Sequence, residues 1–185
     1  MLDLHFVTDG LAVGSHFTSE AAAALAEEHG IARVVDVRLE ACDDEAVLRT
    51  HGITLLHLPT EDTRAISQAS LRHGVAFAAE GLRRGERVFI HCQWGIGRSA
   101  LLTLCILVDA GEAPLAALQR VKAARPVVSP SPEQLEALLQ FAAGVKAARG
   151  ATWPLPTVEA LGAVAWRHLA EETDRAAATA ASTRR

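Results

Sequence analysis

The 185-residue chain has no tyrosine, and aromatic residues together make up only 4% of it. Its three cysteines, Cys42, Cys92 and Cys105, are odd in number, far apart, and form no CxxC pair. Such spacing suggests neither a disulfide framework nor a zinc site. No apolar run reaches the roughly 18 residues needed to cross a bilayer; the stretch 100–108 is about half that. The opening MLDLHFVTDG lacks the basic start and long apolar stretch of a signal peptide. These absences predict a soluble, cytoplasmic protein without a membrane partner. The formal net charge is −4 and no basic stripe stands out, which argues against nucleic-acid binding.

What is present is a chain that is 50% apolar, of a length that suits one domain with extensions. Apolar runs at 4–7 and 11–13, split by Asp9-Gly10, predict a small hairpin. Ser19 as N-cap and Gly30 just past the end frame a helix. Residues 31–39 read as a buried strand, 43–51 as a short helix closed by Gly52, and 53–58 as a strand stopped by Pro59. After a polar turn at 59–67, a helix is predicted over 67–84 and a strand over 87–90. Residues 91–98 hold two glycines and fit no regular element. Helices follow at 99–110, 114–124 and 132–149, with Pro114 and Pro132 in first turns where a missing N–H costs nothing.

This alternation predicts an α/β fold with a mainly parallel central sheet flanked by helices. The main domain would cover residues 1–149. Residues 150–174 would be a linker and C-terminal helix, with Leu161, Val164, Ala165 and Leu169 on one side of a helix at 157–173. Residues 175–185, rich in Ala, Thr and Arg, would form a disordered tail.

The chemistry concentrates in VFIHCQWGIGRS, residues 88–99. A strand, a glycine-bearing loop and a helix follow one another. The loop therefore sits at the carboxyl end of a strand and at a helix N-terminus, both favoured ligand positions. Backbone N–H groups of residues 93–98 can converge on phosphate oxygens, with Gly95 and Gly97 supplying backbone freedom. The same dipoles would stabilise a Cys92 thiolate, moving a free-thiol pKa of about 8.5 toward roughly 3.5–7.5. Arg98 offers a planar fork for two phosphoryl oxygens. Ser99 can hydrogen-bond the sulfur, and His91 can order the loop.

HCQWGIGRS resembles the HCxxGxxR[ST] signature of the protein tyrosine phosphatase superfamily, and its Arg-Ser-Ala ending resembles the dual-specificity branch. Upstream, Leu58-Pro59-Thr60-Glu61-Asp62 is similar to the acid loop of small atypical dual-specificity phosphatases, with Asp62 lying 30 positions before Cys92. Arg125-Pro126 and residues 131–134 resemble the family's closing segment, and the likeness runs over about residues 5–145. The resemblance implies a cysteine-phosphatase fold and a phosphocysteine intermediate. Cys92 would attack phosphorus, Asp62 would protonate the leaving oxygen and then act as base, and Arg98 and Ser99 would assist. His91, Gln93, Trp94, Gly95, Ile96 and Gly97 would surround the phosphate, and Gln134 would help place water. No metal or other cofactor is required.

Several alternatives stay open. Glu61 competes with Asp62 as the acid, and Asp36 is read as a structural partner at a strand end. Trp94 and Ile96 either line the pocket mouth or merely pack. Cys42 is a surface cysteine or a redox partner of Cys92. Cys105 reads as core, and His51, His57 and His73 as structural or surface. The substrate would be a phosphorylated protein or, alternatively, a phosphorylated small molecule or phosphoinositide. The uncharged Gln93, Trp94 and Ile96 weigh against highly charged inositol phosphates. Without tyrosine, one common way of sandwiching a phosphotyrosine ring is missing. A weakly active phospho-binding module and a sulfur-transfer enzyme fit less well. Oligomeric state is not legible.

Overall fold

A computed structural model describes residues 2–167. Five strands form one sheet: β1 (Leu4–Phe6), β2 (Leu11–Gly14), β3 (Ile31–Arg38), β4 (Thr54–Thr60) and β5 (Arg87–His91), in the order β1-β2-β5-β3-β4. The β1–β2 hairpin is antiparallel, while β2, β5, β3 and β4 run parallel. This is the α/β arrangement that alternating strands and helices demand, because each parallel pairing needs a crossover.

Among the described residues seven α-helices cover the sheet: α1 (Ala22–Glu27), α2 (Glu45–Thr50), α3 (Gln68–Arg83), α4 (Arg98–Asp109), α5 (Pro114–Ala124), α6 (Pro132–Arg149) and α7 (Val158–Ala165). Side chains alternate across the strands and divide the core in two. Phe89 and Val34 face Leu25 of α1 and Leu48 of α2. Val88, Ile90, Val35 and Val37 face the opposite layer, which α3 to α7 fill. α4 runs through the middle of that layer and is buried from Arg98 to Val108. Each of its fully buried leucines contributes roughly 1.5–3 kcal/mol by leaving water. Cys105 lies here, wholly buried, with its thiol pushed well up by burial.

Two local expectations change. Strand β4 does not stop at Pro59 but runs through it to Thr60. β4 is an edge strand paired only with β3, so a proline there leaves the open side without a lost ladder bond. Ser19 caps no α-helix: residues Ser19–Ala21 form one 3₁₀ turn, and α1 begins at Ala22 without a side-chain cap. α7 spans Val158–Ala165 and buries Leu161 and Ala165 in the main core; residues 168–173 of the predicted 157–173 helix, Leu169 among them, and the expected tail lie outside the described residues. Among the described residues no helix is long and apolar enough to cross a membrane.

Candidate active site

The carboxyl ends of three adjacent parallel strands meet at one place. Cys92 follows β5, Glu40 lies just beyond β3, and Asp62 lies just beyond β4. Loops at this end of a parallel sheet are where ligands bind in open α/β folds. The loop after β5 leads directly into α4, whose N-cap Gly97 makes no side-chain hydrogen bond. The helix N-terminus thus presents amides and a positive dipole end to the loop.

Cys92 is buried, and its Sγ lies 3.3 Å from Ser99 Oγ and accepts from Gly95 N–H at 3.3 Å. Gly95 has φ +65, and a Cβ there would stand 2.4 Å from the Gly14 carbonyl group. Gly97 is needed for a different reason: its φ is −116, but a Cβ would come within 2.6 Å of Gln134 Oε1. One glycine answers to backbone conformation, the other to crowding.

Arg98 is fully buried and held at both ends of its fork. Nη2 and Nη1 donate to Glu40 Oε1 and Oε2 at 2.7 and 2.8 Å, and Nη1 also donates to Thr60 O at 2.8 Å. Asp62 Oδ1 pairs with Nη2 at 3.0 Å. The buried Nε has no partner among the described residues. Burial disfavours the cation, but Glu40, Cys92 and Asp62 outweigh it and hold Arg98 above its ordinary pKa. The Arg98 hydrogen bond in turn lowers the Glu40 carboxyl to about 2.

The acid loop is tied to α6. Thr63 takes a left-handed φ of 66, uncommon for a β-branched residue, and its N–H donates to Asp62 Oδ1 at 3.0 Å. Ser131 Oγ donates to Thr63 O at 2.9 Å, and Gln134 Nε2 donates to Arg64 O at 3.0 Å. Gln134 and Ser131 also form the capping box of α6. A cavity of about 230 Å³ opens above the sulfur, lined by Asp62, Thr63, Cys92, Trp94, Ile96, Gly97, Ser129, Ser131 and Gln134.

Of the residues singled out in the sequence, the structure therefore brings Cys92, Ser99, Arg98, Asp62, Trp94, Ile96, Gly97 and Gln134 together. Gly95 closes the loop beneath them. His91 and Gln93 do not line the cavity. His91 is buried against Phe89 and Phe17, with its Nε2 2.7 Å from Asp43 Oδ2. Gln93 O accepts from His16 N at 3.3 Å. Asp36 is fully buried and takes Arg38 through both carboxylate oxygens. Cys42 is exposed, beside Asp36 and His57.

Sequence reasoning missed Glu40, Asp43 and Asp3. Asp3 binds both outer nitrogens of Arg125, whose Nε and Nη2 donate to Gly95 O at 2.8 Å and Trp94 O at 2.9 Å. Arg125 holds the Asp3 carboxyl well below the usual carboxylate range. Nothing local in the sequence flags these acids; they act through partners 48 to 122 positions away.

A thiol, a clamped arginine and a carboxyl group thus converge on one anion-sized cavity. The model of the dual specificity phosphatase catalytic domain matches residues 13–143, and the chain belongs to that family. A rat protein named phosphatidylglycerophosphatase and protein-tyrosine phosphatase 1 is 31% identical over 102 residues, 54% of this chain and 53% of the relative. Mouse dual specificity protein phosphatase 2 is 33% identical over 114 residues, 56% of this chain and 36% of the relative. The chain thus spans about half the length of the first of these relatives, and less of the second. Among solved structures, PTPMT1 superposes with a TM-score of 0.74 at 24% identity, covering 80% of this chain and 99% of that one. Tk-PTP in its active form gives 0.71 at 25%, covering 76% and 97%.

Proposed function

We propose that the protein hydrolyses phosphate monoesters in two steps through a phosphocysteine, without a metal. Cys92 Sγ attacks phosphorus in line, the P–O bond to the leaving group breaks, and Asp62 gives that oxygen its proton. Water then attacks the phosphocysteine, Asp62 takes the water's proton, and the sulfur leaves with help from the Ser99 hydroxyl. The loop amides and Arg98 supply positive field for the equatorial oxygens. The observation that carries this reading is the convergence of Cys92, Ser99, Arg98 and Asp62 on one small cavity. Gln134, which lines it, is placed to hold the attacking water. Asp62 is preferred to Glu61 because Asp62, not Glu61, lines the cavity and reaches Arg98.

Within the family, phosphorylated proteins are the first substrate class to assign, with action on phosphoserine, phosphothreonine or phosphotyrosine. A second reading, a phosphorylated lipid or small molecule, is favoured by two likenesses. One relative is named a phosphatidylglycerophosphatase, and PTPMT1 has been crystallised with PI(5)P. The catalytic reading is tested by hydrolysis of an aryl phosphate in the presence of a chelator. Wild type should turn over, Cys92→Ser should lose roughly a thousandfold or more, and Asp62→Asn about a hundredfold or more. An active Cys92→Ser would overturn it, and a larger effect of Glu61→Gln would move the acid.

A further inference from the structure

Five large apolar side chains stand exposed among the described residues, and four belong to segments that end at the active site. Trp94, 61% exposed, and Ile96, 37% exposed, are on the catalytic loop. Leu39, 55% exposed, precedes the Glu40 that clamps Arg98, and its N–H donates to Thr60 O beside the same guanidinium. Val127, 46% exposed, lies two residues before Ser129, which lines the cavity and whose N–H donates to Ile96 O at 3.0 Å. Elsewhere the described surface offers only Leu155.

Each arginine at this mouth is met by a carboxylate. Arg98 is met by Glu40 and Asp62, Arg64 by Glu133 at 3.0 Å, and Arg125 by Asp3. What surrounds the cavity is therefore an apolar rim with no excess of positive charge. In the proposed mechanism the phosphate sits over Cys92, so the organic part of the substrate would leave across this rim. The polar side chains of the lining are turned to the protein's own backbone, Ser129 Oγ to Val127 O, Ser131 Oγ to Thr63 O and Gln134 Nε2 to Arg64 O, so the amides of a peptide laid there would lose water for few new partners. Acyl chains and the glycerol boundary of a bilayer have no such cost. Tryptophan and aliphatic side chains at that boundary gain by leaving water.

Resting on the phosphatase reading above and on the second of its substrate classes, we propose that Leu39, Trp94, Ile96 and Val127 form an interfacial surface that seats the active site on a lipid bilayer, where the substrate is a lipid phosphate monoester. This departs from the sequence expectation of no membrane partner. That expectation rests on the absence of a spanning run, and four residues scattered over three segments leave no such run.

The test uses the full chain, phosphatidylcholine vesicles doped with phosphatidic acid, and a soluble aryl phosphate. Val127→Glu and Leu39→Glu lie outside the catalytic and phosphate-binding groups. Each should lower turnover of vesicle-borne phosphatidic acid, and co-sedimentation of Cys92→Ser with the vesicles, by about tenfold. Each should leave aryl phosphate turnover within about twofold, since exposed substitutions perturb folding little. Unchanged vesicle turnover, an equal loss on both substrates, or a selective loss on a phosphopeptide instead would each overturn the proposal. If wild type hydrolysed neither substrate, the phosphatase reading would fall, and vesicle sedimentation would still decide the surface by itself.

Discussion

Glu40 grips Arg98 with both carboxylate oxygens, at 2.7 and 2.8 Å, from a loop 58 positions away in sequence. The pairing fixes the plane of a guanidinium that, in the proposed mechanism, presents its remaining N–H groups to a phosphoryl group. Glu40→Gln keeps one acceptor but loses the charge and the bidentate fit. We expect kcat/KM on an aryl phosphate to fall about 10- to 100-fold, the scale of misplaced binding groups, with Glu40→Asp intermediate. Steady-state kinetics with both variants checks this.

The same pair gives a pH signature. Arg98 holds the Glu40 carboxyl at about 2 instead of its ordinary 4.5. A lowered carboxyl stabilises the fold fully above about 4.5 and loses that contribution as pH falls toward about 2. Unfolding free energy by urea titration should therefore drop across that window in wild type, and less steeply in Glu40→Gln. Glu40 is partly exposed, so the difference will be small and will shrink in salt.

In the proposed mechanism Asp62 and an incoming phosphate compete for the same nitrogen. Glu40 and Thr60 occupy three N–H groups of Arg98, and Asp62 sits 3.0 Å from Nη2. A guanidinium has five N–H groups, so bidentate phosphate binding through Nε and Nη2 must displace Asp62. Asp62→Asn removes the rival charge and should tighten tungstate binding about three- to tenfold while slowing turnover, as isothermal titration would measure. Equal or weaker binding would mean that the carboxylate offers no competition.

Gly95 and Gly97 should respond differently to alanine. Gly95→Ala meets both a left-handed φ and the Gly14 carbonyl group, and should cost at least about 2 kcal/mol in urea unfolding. Gly97→Ala meets only the Gln134 side chain, at 2.6 Å. It should be milder in stability and should disturb the capping box and the acid loop, lowering kcat more than it lowers the melting temperature.

Asp3 is remote in sequence but supports the catalytic loop through Arg125. Asp3→Asn should loosen the Arg125 bonds to the Trp94 and Gly95 carbonyls, costing about 1–3 kcal/mol for a weakened charged hydrogen-bond network. Hydrogen exchange of the Gly95 and Ile96 amides should quicken ahead of the global rate.

The fold was legible because its signals are local. Val34, Val35 and Val37 mark a buried strand, Pro114 and Pro132 open α5 and α6, and Gly52 and Gly85 follow the ends of α2 and α3. The loop from Cys92 to Ser99 was legible because one continuous segment supplies thiol, glycines and arginine. Glu40 and Asp43 were not, since an acid's partner is set by three-dimensional approach and both read as surface charges. Pro59 misled because a proline usually ends a strand, whereas an edge strand tolerates it. Ser19 misled because a good capping residue is not sufficient where the next turn is 3₁₀.

Arg98 and Ser99 are also the first two residues of α4, a helix buried from Arg98 to Val108. Site and scaffold are thus a single piece of the molecule. On heating, catalytic activity should vanish together with the cooperative unfolding of the whole chain. No separate inactivation step should precede it, and stabilisers of the core should lengthen the working life of the site in equal measure.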